Sequence, residues 1–206
     1  MSFIHSSKFP TYEIDSVQKQ DIEIWNNLKA GDKKALSFIY TKYFDNLYNY
    51  GARIAADGAL AEDCIQDLFI ELWTKREALS VRNIKYYLYK SLRRKIVYKL
   101  AGKVRHAETN DLSSFEIELS DKTHFLNQQI NIEIQKRLTQ LIGTLTTKQK
   151  EAIFLIYYDG LSYDEAASIM GLKIKTIYNL INLAISKLRD QKNTLCLLSV
   201  SFLLFA

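Results

Sequence analysis

Residues 59–74 read ALAEDCIQDLFIELWT, and residues 75–105 continue as KREALSVRNIKYYLYKSLRRKIVYKLAGKVR. The first stretch has the period of one amphipathic helix. At about 100° per residue, Ala61, Cys64, Ile65, Leu68 and Leu72 share a side suited to burial. Asp63, Gln66, Asp67 and Ile70 share the opposite side, and Phe69 and Trp73 stand on the flank between them. A face needed only for solubility usually carries Lys and Glu. Aromatic rings beside polar groups are common where proteins touch, because they bury much area at little entropic cost. The plainer alternative is a solvated face with one stray isoleucine.

The second stretch changes character. Eleven Lys or Arg stand against one acid, Glu77, giving +10 locally in a chain whose formal net charge is +5. The basic excess is therefore confined to this stretch. Tyr86, Tyr87, Tyr89 and Tyr98 are interleaved with the cations. Phosphates take up such charge and unpaired bases stack on such rings, so the composition suits single-stranded or partly opened nucleic acid. A basic helix facing water or anionic lipid is the bland alternative.

The rest of the chain frames these two surfaces. With 206 residues and 48% hydrophobic content, it is long enough for one large domain or two small ones. One proline and seven glycines favour an all-α fold. Cys64 and Cys196 make neither a disulfide framework nor a metal-ligand spacing, and Cys64 belongs to the apolar stripe. His5, His106 and His124 are scattered, and neither a Gly-rich phosphate loop nor a nucleophile–base spacing is present. No enzyme, cofactor or metal is expected. The N-terminus lacks a charged-then-apolar signal pattern, so a cytoplasmic location is expected.

Residues 1–15 read as irregular. A helix is expected over 15–30 with Ile22, Ile24, Trp25 and Leu28 apolar. Another is expected over 33–56 with Leu36, Ile39, Tyr40, Tyr43, Phe44, Leu47 and Tyr50 repeating, and Gly31-Asp32 and Asp57-Gly58 separate the segments. Asn83 caps a fourth helix to about residue 104. Residues 20–105 thus form one four-helix module. Residues 106–127 are acidic and poorly periodic, the composition of a flexible solvated linker. A second module spans 128–192. Its helices are expected over 128–142, with Ile130, Ile134, Leu138 and Leu141 apolar, then from Thr146 or Thr147 through Tyr158, over 163–170, and over 174–189. Ser162 and Glu165 form a capping box.

Small Ala167 four residues before Gly171, followed by Ile177 and Leu180, has helix-turn-helix spacing: the small residue permits a close crossing and glycine makes the turn. With Ile177, Ile181, Ala184, Ile185 and Leu188 inward, Lys175, Tyr178, Asn179, Asn182 and Ser186 point outward. Amides pair with base edges and lysine with phosphate. This face carries little positive charge, which predicts weak DNA binding in isolation.

Taken in order, these motifs resemble a bacterial RNA polymerase sigma factor of the extracytoplasmic-function group, over roughly residues 20–190. GDKKA at 31–35 is similar to the family's GD-x-x-A start, and EDCIQDLFIELW at 62–73 to its polymerase-docking helix. YLYKSLR at 87–93 is similar to the helix that melts and reads the −10 promoter element. GLSYDEAA at 160–167, with Lys175-Thr176-Ile177 and Leu188-Arg189, is similar to the −35-reading region. The tyrosine-rich helices and the apolar tail further resemble the iron-citrate-type branch expanded in Bacteroidetes. Arg94 stands where the family commonly has Asn, Thr146 where Leu-Pro is usual, and Lys173 where Ser or Thr caps the reading helix, a cap worth about 1 kcal/mol.

The resemblance implies an initiation subunit whose Asp63, Gln66, Asp67, Phe69, Ile70 and Trp73 hold the beta-prime clamp of core RNA polymerase. It implies −10 contacts from Lys75, Arg76, Arg82, Asn83, Lys85, Tyr86, Tyr87, Lys90, Arg93, Arg94 and Lys95, with the loop 77–82 receiving a flipped base. It implies −35 contacts from Ser162, Lys173, Lys175, Thr176, Tyr178, Asn179 and Asn182, with the beta flap holding the second module. Promoter DNA and a membrane-bound anti-sigma factor are the further partners it implies. Two rival functions are an autonomous helix-turn-helix regulator and a sigma-like module recruited by another targeting partner. LCLLSVSFLLFA at 195–206, within a tail of 193–206, is too short to span a bilayer and is expected to pack on its own module or a partner groove.

Overall fold

The computed structural model describes residues 11–81, 83–103, 115 and 139–190, and every regular element among them is helical. α1 (Thr11–Lys29) starts four residues earlier than expected, nothing in Thr-Tyr-Glu-Ile being hostile to a helix. The chain turns at Gly31, φ +87°, and the Asp32 carboxylate accepts from the Lys34 amide at 2.8 Å to start α2 (Lys33–Ala55). Ala56 takes a left-handed φ of +50°. Asp57 then caps α3 (Gly58–Thr74), its carboxylate accepting from the Leu60 amide at 3.1 Å. Asn83 starts α4 (Ile84–Lys103) in the same way, accepting from the Tyr86 amide at 3.0 Å.

α2 is the axis of this first module, packing on α1, α3 and α4. The five residues of the α3 stripe, Ala61, Cys64, Ile65, Leu68 and Leu72, are all buried, facing Ile39, Leu47 and Tyr50 of α2 and Leu88, Leu92 and Ile96 of α4 within one core. Gly51 permits the close approach. A Cβ there would lie 3.2 Å from the Ala61 Cβ, 3.3 Å from Ile96 Cδ1 and 3.4 Å from Leu92 Cδ2.

In the second module, a helical stretch over 139–143 leads to Thr146. Thr146 and Gln149 form a reciprocal capping box at the start of α5 (Thr147–Ile153). An uninterrupted helix to Tyr158 was the expectation. Instead Phe154–Tyr158 is a π-helical turn, in which the Asp159 amide donates to the Phe154 carbonyl and the Phe154 and Tyr158 rings stack at 4.7 Å. The expected Ser162–Glu165 box starts α6 (Tyr163–Met170). Gly171, φ +67°, makes the turn into α7 (Ile174–Asp190), and Ala167, Ile177, Ile181 and Ala184 are buried at the crossing.

Three apolar positions behave otherwise than their spacing suggested. Ile22, Tyr40 and Ile185 are exposed, each lying at the edge of its helix's buried arc. Phe115, inside the stretch expected to be a solvated linker, is 2% exposed and sits against Tyr50 and Phe154. A large ring in an acidic segment is thus used for packing. The rest of that linker, the tail, and most of the expected helix over 128–142 lie outside the described residues. Among the described residues, no helix is long and apolar enough to cross a membrane.

Gly51→Val places two methyl groups where the neighbours leave no room. The expected cost is about 1–3 kcal/mol, read as a lower thermal midpoint by circular dichroism, whereas Gly143→Val, with open space around its Cα, is expected to leave the midpoint nearly unchanged.

Candidate nucleic-acid interface

The outer face of α3 is built as its period requires. Asp63, Gln66 and Ile70 are exposed, Ile70 at 63%, and no helix among the described residues covers them. Asp67 is exposed but receives a 2.7 Å bond from Lys99. Trp73 is half-buried, with the Arg76 guanidinium 4.4 Å above its ring. Phe69 departs from expectation. At 7% exposure it lies under α2, its ring edge-on to Tyr40 at 4.9 Å, so it braces the face from below and does not present itself to a partner.

The cations separate into two groups. Lys75 and Lys95 converge on Glu71 at 2.7 and 2.6 Å, and those two bonds hold the Glu71 carboxyl at about 2. Arg76 donates to the Trp73 carbonyl, and Arg94 is exposed. Tyr87 packs on Trp25 at 6.2 Å. Arg82 lies outside the described residues. Tyr98 is exposed, whereas Tyr89 is fully buried, because its position on α4 points inward against Tyr50.

The remaining −10 candidates meet the second module. Arg93 pairs with Glu151 at 2.8 Å, and the Tyr50 hydroxyl donates to the same carboxylate at 3.0 Å. Glu151 is 1% exposed. Burial works against the Arg93 charge, but Glu151 outweighs it and holds the guanidinium above its ordinary value. Tyr50 is pushed well up by burial and then by the Glu151 charge. Lys85 donates to the Asp159 carbonyl, and burial lowers its pKa despite the nearby acids Asp159 and Glu165. The Asn83 amide donates to Glu165 at 2.6 Å. The Tyr86 hydroxyl and the Lys90 ammonium both reach Ser168 Oγ, at 2.7 and 3.0 Å.

On the other side of the second module, Ser162, Lys173, Lys175, Thr176, Tyr178, Asn179 and Asn182 are all exposed. Tyr178 stacks on Tyr163 at 4.4 Å, which orients its ring. With lysine at position 173, the first turn of α7 is closed by the backbone: the Lys173 carbonyl accepts from Thr176 at 2.8 Å and from Ile177 at 3.3 Å.

Sequence reasoning missed the acceptors at the joint. Asp159 carries no signal in the pattern beyond following a helix, and Glu165 none beyond its cap. Glu151 had one overlooked signal: it is an acid leading an unbroken apolar run, EAIFLIYY over 151–158. Asp159 is itself perturbed by this placement. Burial raises its carboxyl to about 6, against the pull of Lys85 and a 3.4 Å bond from Asn46.

Two helical modules, one with a basic aromatic helix and one with an exposed helix-turn-helix, define a DNA-binding protein of divided labour. Residues 39–106 match the family model for sigma-70 region 2, and residues 135–188 match that for sigma-70 region 4. RNA polymerase sigma-H factor of Pseudomonas aeruginosa is 23% identical over 168 residues, covering 78% of this chain and 87% of that protein. ECF RNA polymerase sigma-E factor of Escherichia coli is 24% identical over 170 residues, covering 79% and 88%. Among solved structures, CnrH in complex with the cytosolic domain of CnrY shares the fold at a TM-score of 0.52 and 20% identity, covering 82% of this chain and 94% of that one. The sigma factor RpoE, solved with the anti-sigma factor NepR from Bartonella quintana, does so at 0.51 and 24%, covering 73% and 92%. The chain belongs to the sigma-70 family, in its extracytoplasmic-function group.

Because the folded-state pKa of Asp159 lies above the unfolded value of 3.8, its contribution to stability is fully present below about pH 4 and is lost as pH rises through about 6. Asp159→Asn is expected to remove that dependence, by at most about 3 kcal/mol. Chemical denaturation of both proteins between pH 4 and 7.5 checks it: the variant gains on the wild type as pH rises, and parallel curves contradict the assignment.

Proposed function

We propose that this chain is an alternative sigma factor that brings core RNA polymerase to a set of promoters and opens them. The observation that carries this reading is the order of the two matched regions, with a polymerase-docking face, a basic aromatic helix and a reading helix each on its own element. Asp63, Gln66 and Ile70 dock on the polymerase beta-prime clamp, with Asp67 and Trp73 at the margin and Phe69 supporting from beneath. The helix α4, with Lys75, Arg76 and the loop after them, grips the −10 element. Extruding a base costs a few kcal/mol, which stacking and phosphate contacts on the polymerase-bound factor offset. The exposed side of α7 sets register at the −35 element while the second module rests on the beta flap. Catalysis belongs to the core enzyme, and the working compartment is the cytoplasm.

Two finer assignments belong with this reading. The tyrosine-rich helices and the apolar C-terminal segment support membership of the iron-citrate-type branch. The solved relatives held by CnrY and NepR support an anti-sigma partner for this chain also.

The decisive test is sequencing of the transcripts made by core polymerase with and without the protein: new start sites are expected, and an unchanged transcript set rejects the reading. Gln66→Ala combined with Ile70→Asp, both on an exposed face, is expected to abolish co-purification with core polymerase while leaving helical content intact. Normal co-purification of that double variant counts against the docking face.

A further inference from the structure

Lys175, Tyr178, Asn179 and Asn182 stand at i, i+3, i+4 and i+7 on α7, all of them exposed. The centre of that face is therefore one cation, two amides and an aromatic ring. The Tyr178 ring is 48% exposed, yet it is held in place. Tyr163, the first residue of α6, lies nearly parallel to it, with centroids 4.4 Å apart and planes at 13°. Tyr163 is itself fixed twice. The Ser162–Glu165 capping box sets the backbone on which it stands, and its hydroxyl is hydrogen-bonded with that of Tyr157 in the π-helical turn. Burial first, and then Tyr157, raise the Tyr163 phenol to about 12, so it remains neutral. Three elements thus converge on the orientation of one exposed side chain.

Fastening α6 to α7 does not account for this arrangement. Ala167, Ile177, Ile181 and Ala184, buried at the crossing, already do that. Tyr163 covers one face of the Tyr178 ring and leaves the other face and the edge open beside the two amides. Amides and lysine find hydrogen-bond partners on base edges and phosphates, but an apolar ring face has a different partner in the major groove, the C5-methyl group of thymine.

We propose that Tyr178 reads a thymine methyl group in the −35 element, and that Tyr163 is the positioning residue that holds its ring for that contact. This rests on the reading of α7 as the helix that enters the −35 major groove. Uracil differs from thymine by that methyl alone, so the contact can be deleted from the DNA with every hydrogen-bonding group left in place.

The test uses core polymerase loaded with the full chain, on promoter duplexes taken from the start sites that transcript sequencing yields. Thymines of the −35 element are replaced one at a time by deoxyuridine, and equilibrium binding is measured. For the wild type, one replacement is expected to weaken binding about fourfold, the value of one buried methyl group. Tyr178→Phe is expected to keep that preference, and Tyr178→Ala to bind the thymine and uracil duplexes alike. Tyr163→Leu removes the stack, and its preference is expected to fall while helical content is kept, a change that loss of stability alone does not produce. A −35 element without thymine, a wild type indifferent to every replacement, or a Tyr178→Ala variant that keeps the preference each overturn the contact. Loss of the preference in Tyr178→Phe overturns it too, since the hydroxyl would then be the reading group. An undiminished preference in Tyr163→Leu overturns the positioning role. If that variant does not fold, Tyr157→Phe, which releases the Tyr163 hydroxyl, takes its place: a reduced preference supports the role and an unchanged one overturns it. Start sites without a uracil effect remove this contact and leave the family function standing, whereas an absence of start sites removes both.

Discussion

A guanidinium and a carboxylate, Arg93 and Glu151, meet at 2.8 Å between the two modules, and a tyrosine hydroxyl from a third helix completes the carboxylate. That joint fixes how everything else is arranged. Glu151 is buried, so it must have a cationic partner, and the only one positioned for it in the described contacts is on the helix that carries the chain's positive charge. Removing one member of such a pair is costly, about 3–5 kcal/mol, because the other is left buried and uncompensated. The same pair is worth far less in net terms when both members regain water or a new partner together. A buried pair between modules is thus a poor glue and a good catch. It resists partial disruption but costs little when the modules part cleanly.

Around the catch lies an apolar cluster with a different character. Tyr50 and Phe154 stack at 6.1 Å, Phe115 stands edge-on to Phe154 at 5.6 Å, and the Arg53 guanidinium lies 5.1 Å from the Phe154 ring. Exposing rings of this size costs roughly 1.5–3 kcal/mol each, and no phosphate oxygen substitutes for that contact. The polar rim therefore sets which groups meet, while the aromatic centre supplies most of the hold.

Much of this was legible in the residue order, for reasons that differ by element. The α3 stripe was readable because five residues at helical spacing are buried by helices of the same module. The caps at Asp32, Asn83, Thr146 and Ser162 were readable because capping is a local bond between a side chain and an amide a few residues on. Phe69 was misplaced because a flank position is decided by what overhangs it, here Tyr40 of α2. The π-helical turn was invisible, since an apolar run has no signature for one extra residue per turn. Glu151, Asp159 and Ser168 were invisible as a group for a more basic reason. Their partners are 58 to 82 residues away in sequence for the bonds to α4, and no periodicity links an acid in one module to a cation in another.

The distribution of charge explains why such a joint forms at all. The stretch over 75–105 carries +10, while the exposed reading face of α7 is built from asparagine, tyrosine and threonine with only Lys173 and Lys175 beside them. Had the reading face shared the basic charge, the two modules would repel, and duplex DNA would hold the free chain by counterion release alone. Instead the side of the second module turned toward α4 presents Glu151, Asp159 and Glu165, so attraction acts between modules. The thinly charged outer face of α7, which looks like a defect when α7 is considered alone, is then the counterpart of an acidic inner side that draws the second module onto α4.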